Sequence, residues 1–180
     1  MNAMRCALLL AVLLCTGCTS FQNPIIGETG PALDSALAGR WMAITNEGTV
    51  ELEVSAAGGE GVAIITSTKT GETPEREELR LITAKLGRLT YGSVKAIDKP
   101  ESSWTLFVYE VVANRLLIRS DNNRFWNDAV RDHLVSGTIE KKDWTQTVTV
   151  TASEQEMRAV ILGYGPVIFN DEPLVELQRE

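Results

Sequence analysis

Val50-Glu51-Leu52-Glu53-Val54, followed by Ala56-Ala57-Gly58-Gly59-Glu60-Gly61 and then by Val62 to Thr68, decides the fold of this chain. In the first run the apolar residues alternate with Glu51 and Glu53, the period of two that turns one face of a strand to a core and the other to water. The glycine-rich run is turn chemistry, and the β-branched residues after it read as a second strand. Together they predict a hairpin. A glycine-rich loop that cradles phosphate opens a helix, whereas this one joins two strands, so it is read as a turn.

Outward from this hairpin the strand signal recurs. Arg40 to Thr45 is a candidate before it, and after it Lys69 to Glu78 reads as a polar, charged loop. Leu79 to Leu86 fits a helix or a strand and is read as a strand. Arg88 to Ile97 and Trp104 to Val112 are two more, joined by Asp98 to Ser102. Ala113-Asn114 then makes a tight connection to Leu116-Leu117-Ile118, a second hairpin. Asp121 or Asn122 can cap a helix running to about Leu134, with Phe125, Ala129, Val130 and His133 on one face. Gly137 to Lys141 and Thr145 to Thr151 are further strands. Ser153 and Glu156 form a capping box ahead of Met157, Val160 and Ile161, with Gly163 or Gly165 to end that helix. Val167 to Phe169 and Leu174 to Leu177 close the pattern as short strands. The expectation is an α+β, mainly β chain: about eight to ten strands in an antiparallel sheet curled into a barrel or half-barrel, with two helices over an opening or a face.

Gly39-Arg40-Trp41, at the start of the first of these strands, resembles the opening motif of lipocalins, in which the Trp closes one end of an eight-stranded barrel. The rest of the chain departs from that family, which lacks a helix where Asp121 to Leu134 falls. No second lipocalin motif accompanies the first.

The amino-terminal residues carry a different message. Met1 to Arg5 is a short, positively charged start, and Cys6 to Cys15 is an apolar run. As a helix ten residues cover about 15 Å, half of a roughly 30 Å hydrocarbon core, so the run fits an export signal and not a permanent span. Leu14-Cys15-Thr16-Gly17-Cys18 follows and resembles the lipobox of bacterial lipoproteins, with Cys15 where that family usually has Leu. The resemblance implies cleavage between Gly17 and Cys18, a thioether-linked diacylglycerol on Cys18 and an acyl chain, palmitate in character, on its amino group. Thr19, in place of the Asp that favours inner-membrane retention, implies the periplasmic face of the outer membrane. Residues 1–17 are then a signal peptide, residues 18–36 a lipidated amino terminus and flexible tether rich in Pro, Gly and small polar residues, and residues 37–180 one β-rich domain. Pro31 to Ala38 can form a helical turn at the domain's edge.

All three cysteines, Cys6, Cys15 and Cys18, fall in this leader, so the domain is expected to fold without disulfides, as a chain of this length can. The formal net charge of −7 argues against nucleic acid as a partner, because phosphate binding needs clustered Lys and Arg. The single histidine, His133, and the absence of cysteine from the domain leave no set of ligands for an ordinary zinc site. No Gly-x-Ser-x-Gly elbow is present for serine hydrolysis. The acid pairs Glu51/Glu53 and Glu77/Glu78 read as solvated surface. Phe125-Trp126 beside Asp121, Arg124 and Asp128 form a polar and aromatic cluster at the helix start, in which Arg124, Trp126 and Asp128, with His133, can contact a ligand or partner, against the favoured reading of Phe125 packed in the core with Trp126 at the boundary. Trp41, Trp104 and Trp144 read as core or rim. No catalytic residue, cofactor or metal is expected. The sequence thus points to a non-enzymatic, lipid-anchored envelope protein that binds a small apolar ligand or another envelope protein. The alternative is an envelope hydrolase whose acids the sequence does not single out.

Overall fold

The computed structural model describes residues 19–26, 32–45, 48–99, 101–142 and 145–180. Residues 1–17, the cleavage pair Gly17 and Cys18, and Trp144 lie outside the described residues. In chain order the elements are β1 (Thr19–Phe21), β2 (Gly39–Thr45), β3 (Gly48–Ala57), β4 (Glu60–Lys69), β5 (Glu75–Leu86), β6 (Leu89–Ala96), β7 (Thr105–Val112) and β8 (Arg115–Ser120). Then follow α1 (Asn123–Arg131), β9 (Gly137–Lys142), β10 (Thr145–Val150), α2 (Glu154–Tyr164), a 3-10 turn (Gly165–Ile168) and β11 (Val175–Arg179).

Eight strands close into a barrel in the order β11-β2-β3-β4-β5-β6-β7-β8. Neighbours are antiparallel throughout, and β11 makes the seam by pairing with β2 on one side and β8 on the other. The hairpin from Val50 to Thr68 is present in full register, Val54 facing Ala63 and Leu52 facing Ile65. Its turn is built on Gly58 and Gly59, whose φ values of 61° and 92° are the left-handed backbone that a two-residue hairpin needs. Ala113 takes φ 55° in the second expected hairpin, between β7 and β8.

A second layer lies outside the barrel. β1, β10 and β9 form a three-stranded sheet in which β1 runs parallel to β10. With α1 and α2, this sheet covers the outer face of β5 to β7: Ile82, Ala84, Leu86, Tyr91, Leu106 and Val108 are buried against Trp126, Val148, Met157 and Ile161. The other core fills the barrel with Trp41, Val54, Leu79, Leu81, Val94, Phe107, Leu116 and Leu177. Strands buried on both faces lose the period-two pattern and read as continuous apolar runs. That is why Leu79 to Leu86 looked equally helical: Leu79 and Leu81 point into the barrel, and Ile82, Ala84 and Leu86 point out to the second layer.

Three expectations need correction. Residues 19–26, read as tether, are docked: Phe21 and Ile25 are 1% and 2% exposed, and Phe21 exchanges backbone hydrogen bonds with Trp104 in both directions. Ala32 likewise pairs with Thr83, where β5 has run past the end of β4 and its edge is free. Glu75 to Glu78, read as loop, belong to β5. Val167 and Ile168, read as strand, form the end of the 3-10 turn, since Pro166 fixes φ and has no N–H to give a sheet, while Phe169 is extended and bridges Asp121.

Candidate functional site

The interior of the barrel and its two ends hold the groups of interest. At one end Trp41 is wholly buried, and its Nε1 donates to the carbonyl of Leu37 at 2.8 Å. The Arg179 guanidinium lies 4.3 Å from the Trp41 ring centre and donates to the carbonyls of Ala36, at 2.6 Å, and Ala38, at 3.3 Å. A cation on an indole face is attractive in itself, and here it ties the last strand to the turn that precedes the first. Tyr109 Oη donates to Asp34 at 2.9 Å on the inner side of the same turn, and burial with the Asp34 carboxylate pushes that phenol far up, so it stays protonated. This end is plugged by residues 33–37 and by Trp41.

Above the plug lies a cavity of about 40 Å³ lined by Leu37, Leu52, Val54, Ala63, Leu79, Leu81, Phe107 and Leu116, with Ile65, Val94 and Ile118. Every lining side chain is apolar. The space is far below the roughly 300–1,000 Å³ of a drug-sized pocket, so the barrel is largely filled by its own side chains and has room for a short apolar group.

At the opposite end of the barrel, where β8 leads into α1, sits a buried polar cluster. Asp121 is 7% exposed and its Oδ2 has no hydrogen-bond partner; Trp126 Nε1, close by in the chain, also lacks one. Burial pushes the Asp121 carboxyl up to about 7, against a hydrogen bond from Thr19 that pulls the other way. Thr19 Oγ1 has a single proton, and it lies 2.8 Å from Asn123 Oδ1 as donor, so the two residues at the mouth of α1 compete for it. No second carboxylate contributes to the shift of Asp121. The cluster can hold one proton near neutral pH, and among the described residues no second acid is paired with it as general acid–base hydrolysis uses.

The four residues expected to share a contact surface are divided. Trp126 is completely buried, packed edge-on against Phe21 (centroids 5.0 Å, 83°) and Phe125 (5.3 Å, 84°), so the inside and boundary positions of Phe125 and Trp126 are exchanged. The reason is β1: once Phe21 docks, Trp126 is under cover. Arg124 is exposed. Asp128 pairs with Arg131 at 2.8 Å. His133, expected on the helix, lies beyond its end at φ 56°, exposed, because α1 stops at Arg131 and the chain reverses with Leu134 N–H donating to Ala129 O. Asn122, not Asp121, is the cap, its Oδ1 accepting from Phe125 N–H at 3.3 Å.

Among the acid pairs, Glu51 and Glu53 are both exposed on β3. Glu77 and Glu78 fall on opposite faces of β5, and partial burial raises Glu77 while the positive charge of Lys99 lowers it. Among the described residues no three His, Cys, Asp or Glu side chains converge as a metal site. Arg179 carries no local signal; Asp121 stands out in the sequence as a cap candidate beside the aromatic pair and Thr19 as the neighbour of Cys18, but nothing local marks either as buried. No protein-family model matches the chain, and neither curated proteins nor solved structures give a significant match.

Proposed function

We propose that this chain is a lipid-anchored envelope lipoprotein, held through acyl groups on Cys18, whose barrel binds a short apolar group without catalysis. The observation that carries the binding reading is the cavity above the Trp41 plug, bounded by apolar side chains alone, the surface that takes up hydrocarbon and excludes water. The separation of the candidate acids, with Asp121 solitary, supports a non-catalytic role. The anchor rests on Leu14 to Cys18 and the charged, apolar run before them. Placement on the periplasmic face of the outer membrane follows from Thr19.

The small volume of the cavity favours a second reading, in which the filled barrel is a scaffold and the partner is another envelope protein. Thermal melts with xenon and a series of short linear alkanes separate the two. Ligand binding predicts a rise in Tm that is lost in Ala63→Leu, which places extra methyl groups in the cavity; no rise with any member of the series leaves the scaffold reading. For the anchor, intact mass and membrane fractionation of the protein expressed in a bacterium should show acyl mass on Cys18 and release of Cys18→Ala from the membrane fraction. An unmodified, soluble wild type would remove the lipoprotein assignment.

A further inference from the structure

We infer that the end of the molecule carrying Thr19 is seated on the bilayer, with Leu162, Tyr164 and Val167 entering the headgroup region. The inference rests on the lipoprotein reading and adds an orientation to it. A lipoprotein is commonly held off its membrane by a slack tether, but here there is none. Thr19, one peptide from the lipid-bearing residue and thus 3.8 Å away between Cα atoms, is 5% exposed and fixed by its ladder with Val148 and its bond to Asn123. Phe21 locks the strand two residues on. Acyl chains on Cys18 therefore leave directly from the body of the protein, and whatever surrounds Thr19 must meet the membrane.

Beyond the polar residues that hold it, this end carries uncovered apolar side chains. Asn123 bonds Thr19, and the next residue, Asn122, donates from its backbone to Ile168 O at 2.8 Å and from its side chain to Val167 O at 3.2 Å, which sets the 3-10 turn beside the exit point. Val167 is 63% exposed, and on the last turn of α2 Leu162 and Tyr164 are 60% and 43% exposed. Ile44, 75% exposed, and Ile97, 48% exposed, sit at the β2–β3 and β6–β7 connections, which the up-and-down order of the barrel places at this same end. Water gains nothing from such a cluster, while an interface a few ångströms below it takes up its surface. This end is richer in acid than base, with Glu72, Asp98, Glu101, Asp171 and Glu172 against Lys69, Lys99 and the exposed Arg124, so the headgroups that suit it are zwitterionic.

The test uses mature, lipidated protein carrying Val167→Cys or Val112→Cys, the second at the opposite end of the barrel, labelled with an environment-sensitive fluorophore and bound to phosphatidylethanolamine/phosphatidylcholine vesicles containing a headgroup quencher. With Cys18 occupied by lipid, the new thiol is the only one free. The label at residue 167 should be quenched several-fold more than that at residue 112, and adding anionic lipid should reduce the difference. Protein that floats with the vesicles but shows equal quenching at both positions overturns the orientation while leaving the anchor intact; protein that carries no acyl mass and does not float fails at the lipoprotein reading instead. Amide exchange on the unsubstituted lipidated protein provides an independent readout, with slower exchange over 162–168 on vesicles than in unlipidated Cys18→Ala; unchanged exchange there counts against the seat.

Discussion

At the scale of single residues, the energetic weight of this protein falls on side chains whose sequence neighbourhood is unremarkable in composition. Asp121 is the clearest. Its carboxyl is held up at about 7 by burial, whereas in the unfolded chain it titrates in the ordinary carboxylate range. Because the folded state binds the proton more tightly, the native chain is favoured below the unfolded pKa and loses that advantage as pH rises toward 7. Asp121→Asn removes the charge and keeps an acceptor for the Thr19 hydroxyl. It should raise stability at pH 8 by on the order of 2 kcal/mol relative to wild type and make little difference at pH 4, as read from urea midpoints at the two values. An equal effect at both would mean that Asp121 is solvated. Arg179 is the counterpart at the other end: an exposed cation at the end of β11 that covers Trp41 and bonds Ala36 and Ala38.

At the scale of elements, two short-range devices hold the strands and helices in place. Gly92 in β6 sits opposite Phe107 in β7, and a Cβ on Gly92 would collide with the Cζ end of the Phe107 ring. Gly92→Ala should therefore lower stability by at least about 2 kcal/mol through overpacking, with Phe107→Leu partly restoring it; denaturant melts of the single and double variants check both. The second device is the start of α2. Ser153 Oγ accepts from Glu156 N–H at 3.3 Å while Ser153 N–H donates to Glu156 Oε2 at 2.8 Å, and Ser136 Oγ adds a bond to Oε1 at 2.6 Å. These hydrogen bonds, that from Ser136 first, bring the Glu156 carboxyl down to about 2. The contribution is thus present above the ordinary carboxylate range and is lost as pH falls toward 2. Glu156→Gln should remove this part of the acid dependence, seen as a shallower fall of Tm between pH 5 and pH 3. Ser153→Ala, which removes the cap at every pH, should cost about 1 kcal/mol. This capping box was legible from spacing alone, as were the two hairpin turns, because cap and turn chemistry involve residues within a few positions of each other.

At the scale of the whole molecule, closure depends on the last strand. β11 follows a long excursion through α1, β9, β10 and α2, yet it pairs with the first barrel strand and the seventh, burying Leu177 to 2%. Deleting Val175–Glu180 should open the seam between β2 and β8, expose two unpaired edges and abolish the cooperative melt; near-ultraviolet circular dichroism and binding of a hydrophobic dye would report it. A truncated chain that melts as wild type would show that the seam is dispensable. The barrel and its approximate strand count, both helices and the turn glycines were determined by the sequence itself, since alternation, capping and hairpin turns are properties of neighbouring residues. The resemblance of Gly39-Arg40-Trp41 likewise placed a tryptophan at one end of a barrel, where Trp41 lies. Only the tertiary structure decided that β5 to β7 are buried on both faces, that residues 19–26 are a docked segment opening with β1 where composition suggested a tether, that Trp126 is interior, and that Asp121 is sealed beneath Thr19. Each of these depends on a segment that is distant in the chain coming to cover a surface, and burial by a remote partner leaves no periodic trace in the residues it covers.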